Sequence, residues 1–460
     1  MTDHSASDAL VFFGITGDLA YKKIFPALQA LVQRERLNVP VIGVARSQLS
    51  DADLIERARA SITEHDTLDP AAFQKLSSLL GHVWGDYSDA ATFTRLRERL
   101  GNAKRPLFYL AVPPSLFPTV VQHLADSGCT AGARIVIEKP FGRDLQSARS
   151  LNTLLRTVFP EDSIFRIDHY LGKEAVQNLM YFRFANTFLE PLWNRHYVDS
   201  VQITMAESMG VAGRGAFYDE TGVIRDVIQN HLLQIISYLA MEAPSSTWPE
   251  AIRDEQAKVL RTIRPLSPEH LVLGQFRSYR QEPGVAPDSR VPTFAALQLA
   301  IDSWRWEGVP FFIRAGKCLA ESRTDVMVEL KPAPPVVFQQ AAPRGANYVR
   351  FRLSPDVAIN IGAYTKVPGE GMAGQPVELS VASGTRQGVG TRLGPYERLL
   401  GDAMTGDATL FARQDVVEAA WAIVDPVIKD PAALLEYDCG GWGPADADQL
   451  VASFGGWAGR

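Results

Sequence analysis

The chain has 460 residues, of which 46% are hydrophobic and 21% charged, and its formal net charge is −6. This composition is typical of a globular protein with a large core, and it excludes intrinsic disorder and fibrous repeats. The acidic balance gives no reason to expect nucleic acid or a membrane surface as a partner. Only 11 of the 46 basic residues are Lys, so the positions of the lysines are informative.

Three cysteines, Cys129, Cys318 and Cys439, lie far apart in the sequence and form no CxxC pair. We therefore expect neither a disulfide framework nor a thiolate metal site, and we predict a reducing, cytoplasmic environment. The first ten residues are polar and acidic, unlike a signal peptide. No run of about 18 apolar residues is present to span a bilayer.

The N-terminal part of the chain alternates short apolar runs with amphipathic stretches. This pattern predicts crossover units and a parallel sheet covered by helices on both faces. Each run ends in glycine, proline or polar residues, which such a sheet brings to the ligand crevice at its carboxyl edge. The predicted strands are 9–13, 39–45, 107–112 and 134–138.

Beyond residue 160 the apolar runs follow one another too closely for a helix in each gap. They predict a large, mainly antiparallel sheet covered by helices, chiefly one over 222–241. The predicted fold class is α/β plus α+β, with a Rossmann-type doubly wound parallel sheet in an N-terminal domain (1–160) and a C-terminal α+β domain (161–460). The strands predicted in the second domain are 200–207, 294–301, 310–314, 325–330, 348–353 and 377–381.

The first candidate site is the segment FFGITGDLA, at residues 12–20. Gly14 and Gly17 follow a strand, and Asp18 opens an amphipathic helix, which suits the pyrophosphate of a dinucleotide. The segment lacks the full GxGxxG spelling, so an ordinary strand-to-helix turn is the alternative.

Arg46 ends the second strand, where an NAD site has an acidic residue, and this favours the 2′-phosphate of NADP. A solvated surface arginine is the alternative there.

The second candidate is IEKPFG, at residues 137–142. Lys139 follows an apolar strand and is expected at the carboxyl edge of the sheet, where it can donate to a substrate hydroxyl or anion. A solvated loop lysine is the alternative. The Lys139–Pro140 peptide bond is a candidate for the cis form.

The third candidate, FRIDHYLGKE at residues 165–174, is the densest. His169, Tyr170 and Lys173 supply hydrogen-bond donors for an anionic oxygen cluster such as a phosphate. Asp168 can orient a histidine. A solvated charged segment is the alternative, although lysine is scarce in this chain and Leu171–Gly172 interrupts the polarity as a turn does.

The fourth candidate is the helical pattern of residues 223–240. His231 falls within its apolar stripe, and Asp226 lies close beside the stripe. A histidine paired with a carboxylate can act as a general base. A core histidine with satisfied hydrogen bonds is the alternative.

The motifs GITGDLA, EKPFG, RIDHYLGKE and RDVIQNHLLQ, in this order, resemble glucose-6-phosphate dehydrogenase, and the likeness continues through VPFFIRAGK to EYDCGGWGPADADQL near the C-terminus. The resemblance implies NADP-dependent oxidation of glucose 6-phosphate at C1 to the 6-phosphogluconolactone, the first step of the oxidative pentose phosphate pathway. It also implies a homodimer or homotetramer formed through the sheet of the second domain. We expect no metal, because this oxidation needs only a base and a hydride acceptor.

The resemblance also implies roles for individual residues. His231 is the expected general base, and Asp168 pairs with it and stabilises the imidazolium. The residues expected to hold the 6-phosphate are His169, Tyr170 and Lys173. Those expected to bind sugar hydroxyls, or to bridge sugar and cofactor, are Lys139, Glu207, Asp226 and Lys317. The cofactor residues are Gly14, Thr16, Gly17, Asp18, Leu19, Arg46, Pro113 and again Lys139.

Two positions depart from the family pattern. Tyr21 and Ser322 stand where members usually have basic residues, so we expect the contacts with cofactor and sugar to differ from the family pattern at these points. The preference for NADP depends mainly on Arg46, so use of NAD stays open as an alternative. Two alternative functions stay open: an NAD(P)-dependent oxidoreductase of an unphosphorylated hexose, and an inactive NADP-sensing homologue.

Overall fold

The computed structural model describes residues 6–334, 346–369, 373–382 and 393–459. The chain divides into two compact units. The first consists of Met1–Lys173, Ser245–Arg253 and Thr391–Glu418, and the second of Glu174–Pro244, Asp254–Gly390 and Ala419–Arg460. Over the described residues, no helix has both the length and the apolar character that crossing a membrane requires.

The described part of the first unit contains a parallel sheet of six strands. In chain order they are β1 Ala9–Phe13, β2 Val41–Ala45, β3 Leu80–Trp84, β4 Pro106–Leu110, β5 Arg134–Glu138 and β6 Ile164–Ile167. Their order across the sheet is β3-β2-β1-β4-β5-β6. The five residues of β1 are all buried, as are those of β2 and β4, which explains why these strands appear as continuous apolar runs.

Helices connect these parallel strands. They are Phe25–Gln33, which continues a π-helical turn at Ala20–Ile24, then Asp51–His65, Pro70–Leu79, Ala90–Leu100, Phe117–Asp126 and Leu145–Val158. Polar side chains cap the N-termini of several of these helices. At the helix Asp51–His65, for example, Ser50 and Asp53 form a reciprocal capping box. Pro395–Thr405 also belongs to this unit.

The described part of the second unit contains a sheet of nine strands. In chain order they are β7 Val198–Ala206, β8 Leu271–Phe276, β9 Phe294–Leu299, β10 Phe311–Gly316, β11 Arg323–Leu330, β12 Tyr348–Ser354, β13 Ala358–Lys366, β14 Gly374–Ala382 and β15 Leu434–Tyr437. Their order is β14-β13-β12-β11-β7-β10-β9-β8-β15. Two neighbouring pairs, β7 with β10 and β8 with β15, are parallel, and the other pairs are antiparallel.

The helices that belong wholly to the second unit are Glu174–Ala185, Gly215–Val223 and Leu233–Ala240, with a π-helical segment at Ile224–Leu232. The helices Pro249–Thr262 and Gln414–Lys429 begin in the first unit and end in the second. Short 3-10 turns occur at Pro114–Leu116, Glu161–Ser163, Glu190–Leu192, Pro268–His270 and Tyr279–Gln281, and a longer 3-10 helix at Ala445–Phe454.

The fold class predicted from the sequence is confirmed, because the parallel sheet is followed by a mainly antiparallel one. Sequence reasoning missed β3, β6, β8, β13 and β15. The β3 sequence LGHVW mixes polar and apolar residues, so its periodicity is weak. The strand β6 pairs with β5 in the parallel sheet, although it lies beyond residue 160, where the sequence predicts only the second, mainly antiparallel sheet. The domain boundary at that residue stays a prediction.

Candidate active site

The carboxyl ends of the parallel strands lie at one edge of the sheet in the first unit. The register pairs Phe13 with both Val44 and Leu110, and Glu138 with Ile167. Residues that follow these strands are therefore neighbours along the edge where open α/β sheets bind ligands. The predicted site residues that directly follow strands here are Gly14, Arg46, Lys139 and Asp168.

The glycine loop after β1 is tightly folded. Gly14 has φ 85°, and a Cβ at this position would lie 2.3 Å from the carbonyl oxygen of Ala111. Only glycine allows this close approach. The amide of Gly17 donates to the carbonyl of Gly14 (2.9 Å), and helical backbone begins at the exposed Asp18. An accessible helix N-terminus after a glycine turn fits the pyrophosphate of a dinucleotide, which first-turn amides can bind.

The other two residues predicted for this loop, Thr16 and Leu19, are partly buried. The carbonyl of Thr16 accepts a hydrogen bond from the Arg57 guanidinium (2.6 Å). The helix Asp51–His65, which carries Arg57, therefore stabilises the loop, and the sequence did not reveal this role.

Arg46 is exposed immediately after β2. Its charge contributes to a lowered pKa of Asp86, after the larger contribution of hydrogen bonds from Ser88. An acidic residue near Arg46 was not expected, because Asp86 follows β3, which the sequence did not reveal. Pro113 is exposed in the turn after β4. Arg46 and Pro113 are thus both accessible at the carboxyl edge.

Lys139 directly follows β5, and its peptide bond with Pro140 is cis. The preceding residue, Glu138, accepts a hydrogen bond from the Tyr109 hydroxyl (2.5 Å) and another from the Tyr396 hydroxyl. Burial raises the pKa of Glu138 to about 7. Sequence reasoning missed this carboxyl group, although it belongs to the EKP motif, because its two tyrosine partners come from distant segments.

The segment from Asp168 to Lys173 forms a compact turn after β6. Asp168 is 2% exposed, and its carboxylate accepts a hydrogen bond from the Tyr170 amide (3.0 Å). The Lys173 ammonium lies 3.4 Å from the centroid of the Tyr170 ring, and the rings of His169 and Tyr170 are 5.2 Å apart. An imidazole, a phenol and an ammonium group therefore lie together on one short turn, as a phosphate site requires.

In the second unit, Glu207 and Lys317 directly follow two parallel neighbours, β7 and β10. The register pairs Ala206 with Gly316, so the next residue of each strand is also adjacent. The Lys317 ammonium lies 2.5 Å from the Glu207 carboxylate. The Tyr437 hydroxyl donates to the Lys317 carbonyl (2.6 Å) and helps to hold this strand end.

Asp226 and His231 both lie in the buried π-helical segment Ile224–Leu232. A π-helix bonds residue i to residue i+5, so these two residues are one turn apart on the segment. Sequence reasoning assumed an α-helical period and placed Asp226 only beside the stripe of His231. His231 is 4% exposed, and its amide donates to the Asn230 side chain (2.6 Å).

The two departures from the family pattern have definite local contacts. The Tyr21 hydroxyl donates to Glu64 (2.8 Å), and the Arg57 guanidinium lies 4.9 Å from the centroid of the Tyr21 ring. The Ser322 hydroxyl accepts a hydrogen bond from the amide of Ser208 (2.9 Å), the residue after Glu207. Ser322 therefore supports the strand end that carries Glu207.

The expectation of no disulfide is wrong, because Cys318 and Cys439 form one, with their Cα atoms 4.8 Å apart. They are separated by 121 residues, so spacing alone could not reveal the pair. The strand order places β10 and β15 in one sheet, and the Gly440 amide donates to the Cys318 carbonyl (2.9 Å). Cys129 is buried and has a free thiol.

Both parts of the chain match family models. Residues 11–178 match "Glucose-6-phosphate dehydrogenase, NAD binding domain", and residues 180–458 match "Glucose-6-phosphate dehydrogenase, C-terminal domain". Glucose-6-phosphate 1-dehydrogenase 1 of Mycobacterium tuberculosis is 42% identical over 455 residues, which cover 98% of this chain and 96% of that protein. Glucose-6-phosphate 1-dehydrogenase 6, cytoplasmic, of Arabidopsis thaliana is 40% identical, with 97% and 91% covered.

Solved structures are similar over the whole length. The crystal structure of glucose-6-phosphate 1-dehydrogenase from Mycobacterium avium has a TM-score of 0.92 and 43% identity, with 99% of each chain covered. A glucose-6-phosphate dehydrogenase in complex with glucose 6-phosphate has a TM-score of 0.92 and 34% identity, with 100% of each chain covered. The chain therefore belongs to the glucose-6-phosphate dehydrogenase family, whose N-terminal domain binds a nicotinamide dinucleotide.

Proposed function

We propose that this chain oxidises glucose 6-phosphate at C1 to 6-phosphoglucono-1,5-lactone, with NADP as the hydride acceptor. The observation that carries the proposal is the full-length similarity to a family member in complex with glucose 6-phosphate. Relatives in bacteria and plants bear the same enzyme name. The motifs that resemble the family lie in both units, so the similarity is not limited to the dinucleotide-binding fold.

His231 is the proposed general base, which removes the proton of the C1 hydroxyl. Its burial suits this role, because a low-dielectric environment strengthens the effect of a nearby carboxylate. Asp168 is the proposed carboxylate partner and stabilises the imidazolium that forms. NADP supplies the acceptor for the hydride that leaves C1.

The proposed phosphate site consists of His169, Tyr170 and Lys173. The proposal is supported by the proximity of their side chains within one turn. The Lys173 ammonium supplies the charge, and the other two residues supply directional hydrogen bonds. The sugar hydroxyls are proposed to bind Lys139, Glu207, Asp226 and Lys317.

The proposed cofactor site includes Gly14, Thr16, Gly17, Asp18 and Leu19 around the pyrophosphate. Arg46 is the proposed partner of the 2′-phosphate and so sets the preference for NADP, while use of NAD is compatible with the rest of the loop. Pro113 and Lys139 complete the site. The exposure of Arg46 and Pro113 supports these roles.

Self-association through the sheet of the second unit is also proposed. Leu379 and Val381 on β14 are 62% and 61% exposed, and alternate residues of a strand share one face. This apolar surface supports a homodimer or homotetramer, which light scattering of the purified protein can test.

We also propose a cytoplasmic location, as in the name of the Arabidopsis relative.

Initial rates of nicotinamide reduction with glucose 6-phosphate and with glucose test the proposed substrate. We expect much faster turnover of the phosphorylated sugar, and a higher kcat/KM with NADP than with NAD. Equal rates with both sugars would favour the oxidoreductase of an unphosphorylated hexose. Binding of NADP without turnover would favour the inactive sensing homologue.

A further inference from the structure

Tyr218, in the helix Gly215–Val223, has a buried hydroxyl without a role in the proposed mechanism. The residue is 3% exposed, and among the described residues no atom forms a hydrogen bond with this hydroxyl. Buried polar groups in native proteins almost always have a partner, because the loss of hydration is costly. Such an exception requires a functional or structural reason.

The surroundings of Tyr218 suggest the reason. The Lys317 ammonium lies 5.6 Å from the centroid of the Tyr218 ring. Burial is the main cause of a raised pKa of Tyr218, and the charges of Asp226 and Glu207 add to it. The hydroxyl is therefore neutral, and its ring lies beside Lys317, whose ammonium is paired with Glu207 (2.5 Å) in the part of this unit that is proposed to bind the sugar.

We propose that the hydroxyl of Tyr218 forms a hydrogen bond with a hydroxyl of the bound sugar and contributes to substrate specificity. This inference rests on the proposed function of the same site. A sugar hydroxyl is both donor and acceptor, so it matches a phenol that can also act as either. A site whose buried polar group is satisfied only by the correct substrate discriminates strongly against analogues without the matching hydroxyl.

A neighbouring tyrosine provides a matched control. The rings of Tyr218 and Tyr279 are 6.2 Å apart at 72°, and both are buried in the same aromatic cluster. The Tyr279 hydroxyl, however, donates to Asp219 (3.1 Å). At Tyr218, replacement by phenylalanine removes a hydroxyl that has no hydrogen-bond partner among the described residues. At Tyr279, it removes a hydroxyl that is hydrogen-bonded to Asp219.

The experiment compares the full chain with its Tyr218→Phe and Tyr279→Phe variants. Tyr218→Phe is expected to lower kcat/KM for glucose 6-phosphate by about tenfold, the loss of roughly one buried hydrogen bond, and to leave the thermal midpoint unchanged or higher. Tyr279→Phe is expected to lower the midpoint and to keep kcat/KM. An unchanged kcat/KM for Tyr218→Phe would overturn the inference.

Deoxy analogues of glucose 6-phosphate identify the contact. With the analogue that lacks the contacted hydroxyl, wild type and Tyr218→Phe are expected to have the same kcat/KM. An equal loss with every analogue would show that Tyr218 does not contact a sugar hydroxyl.

If the wild type did not turn over glucose 6-phosphate, the proposed function would fail. Calorimetric binding of that sugar phosphate to both proteins would then test the contact: equal affinities would overturn it, and weaker binding to Tyr218→Phe would support it.

Discussion

Lys317 and Glu207 lie on adjacent parallel strand ends, with the ammonium 2.5 Å from the carboxylate. The Lys317 side chain is 11% exposed and the Glu207 side chain 43%. The pair therefore consists of a largely buried ammonium group and a partly exposed carboxylate that an incoming ligand can contact. This arrangement can donate to one sugar hydroxyl and accept from another.

We expect Lys317→Met to raise KM for glucose 6-phosphate by about tenfold or more, because a charge-assisted hydrogen bond is lost. Steady-state kinetics check this value. Arg264→Gln is a suitable control, since it removes a cation from the exposed pair with Asp302 (2.7 Å). A KM equal to that of wild type for Lys317→Met would contradict the assignment.

Arg46→Ala is expected to lower kcat/KM with NADP by about tenfold or more and to leave kcat/KM with NAD nearly unchanged. The reason is that only NADP carries the phosphate that a guanidinium binds strongly. The ratio of the two constants is the measurement. Arg97→Ala, which removes a bond to the Gly101 carbonyl, is the control. An equal loss with both cofactors would refute the role of Arg46.

The ionisation of Glu138 is expected to lower stability as pH rises from about 4.5 to about 7, because Glu138 has an ordinary pKa of 4.5 and a folded pKa of about 7. The folded state then binds the proton more tightly than the unfolded state, and ionisation of Glu138 costs about 3 kcal/mol of stability. Urea unfolding at a series of pH values measures the effect. In Glu138→Gln this part of the pH dependence should disappear, whereas parallel curves for both proteins would contradict it.

Loss of the Cys318–Cys439 disulfide is expected to lower the free energy of unfolding by about 2–5 kcal/mol, because the bond closes a long loop. The thermal midpoint of Cys439→Ser should be lower than that of wild type. A reducing agent should lower the midpoint of wild type only, and Cys439→Ser provides the control. Equal midpoints for wild type and variant under oxidising conditions would be the contrary result.

The sequence predicts the sheets well where apolar runs are continuous, as in Ala9–Phe13 and Arg134–Glu138. It predicts which motifs follow strands, and the topology then places them at one edge. Partners from distant segments could not be predicted, such as Tyr396 for Glu138 or Cys439 for Cys318. These pairings depend on tertiary packing, which leaves no local pattern.

The π-helical segment illustrates a second limit. A period of 3.6 residues identifies the apolar stripe around His231, but it misplaces Asp226, because one π turn contains more residues. Such a local change of period carries no compositional signal. The roles of His231 and Asp168 stay predictions that kinetics must test.

The proposal that His231 is the base in glucose 6-phosphate oxidation is tested by comparing turnover by wild type and His231→Asn. The variant is expected to bind glucose 6-phosphate with nearly unchanged affinity while kcat falls by about a thousandfold or more, since general base catalysis is removed. His270→Asn, at an exposed site, should match wild type. Turnover by His231→Asn at the wild-type rate would show that His231 is not the base.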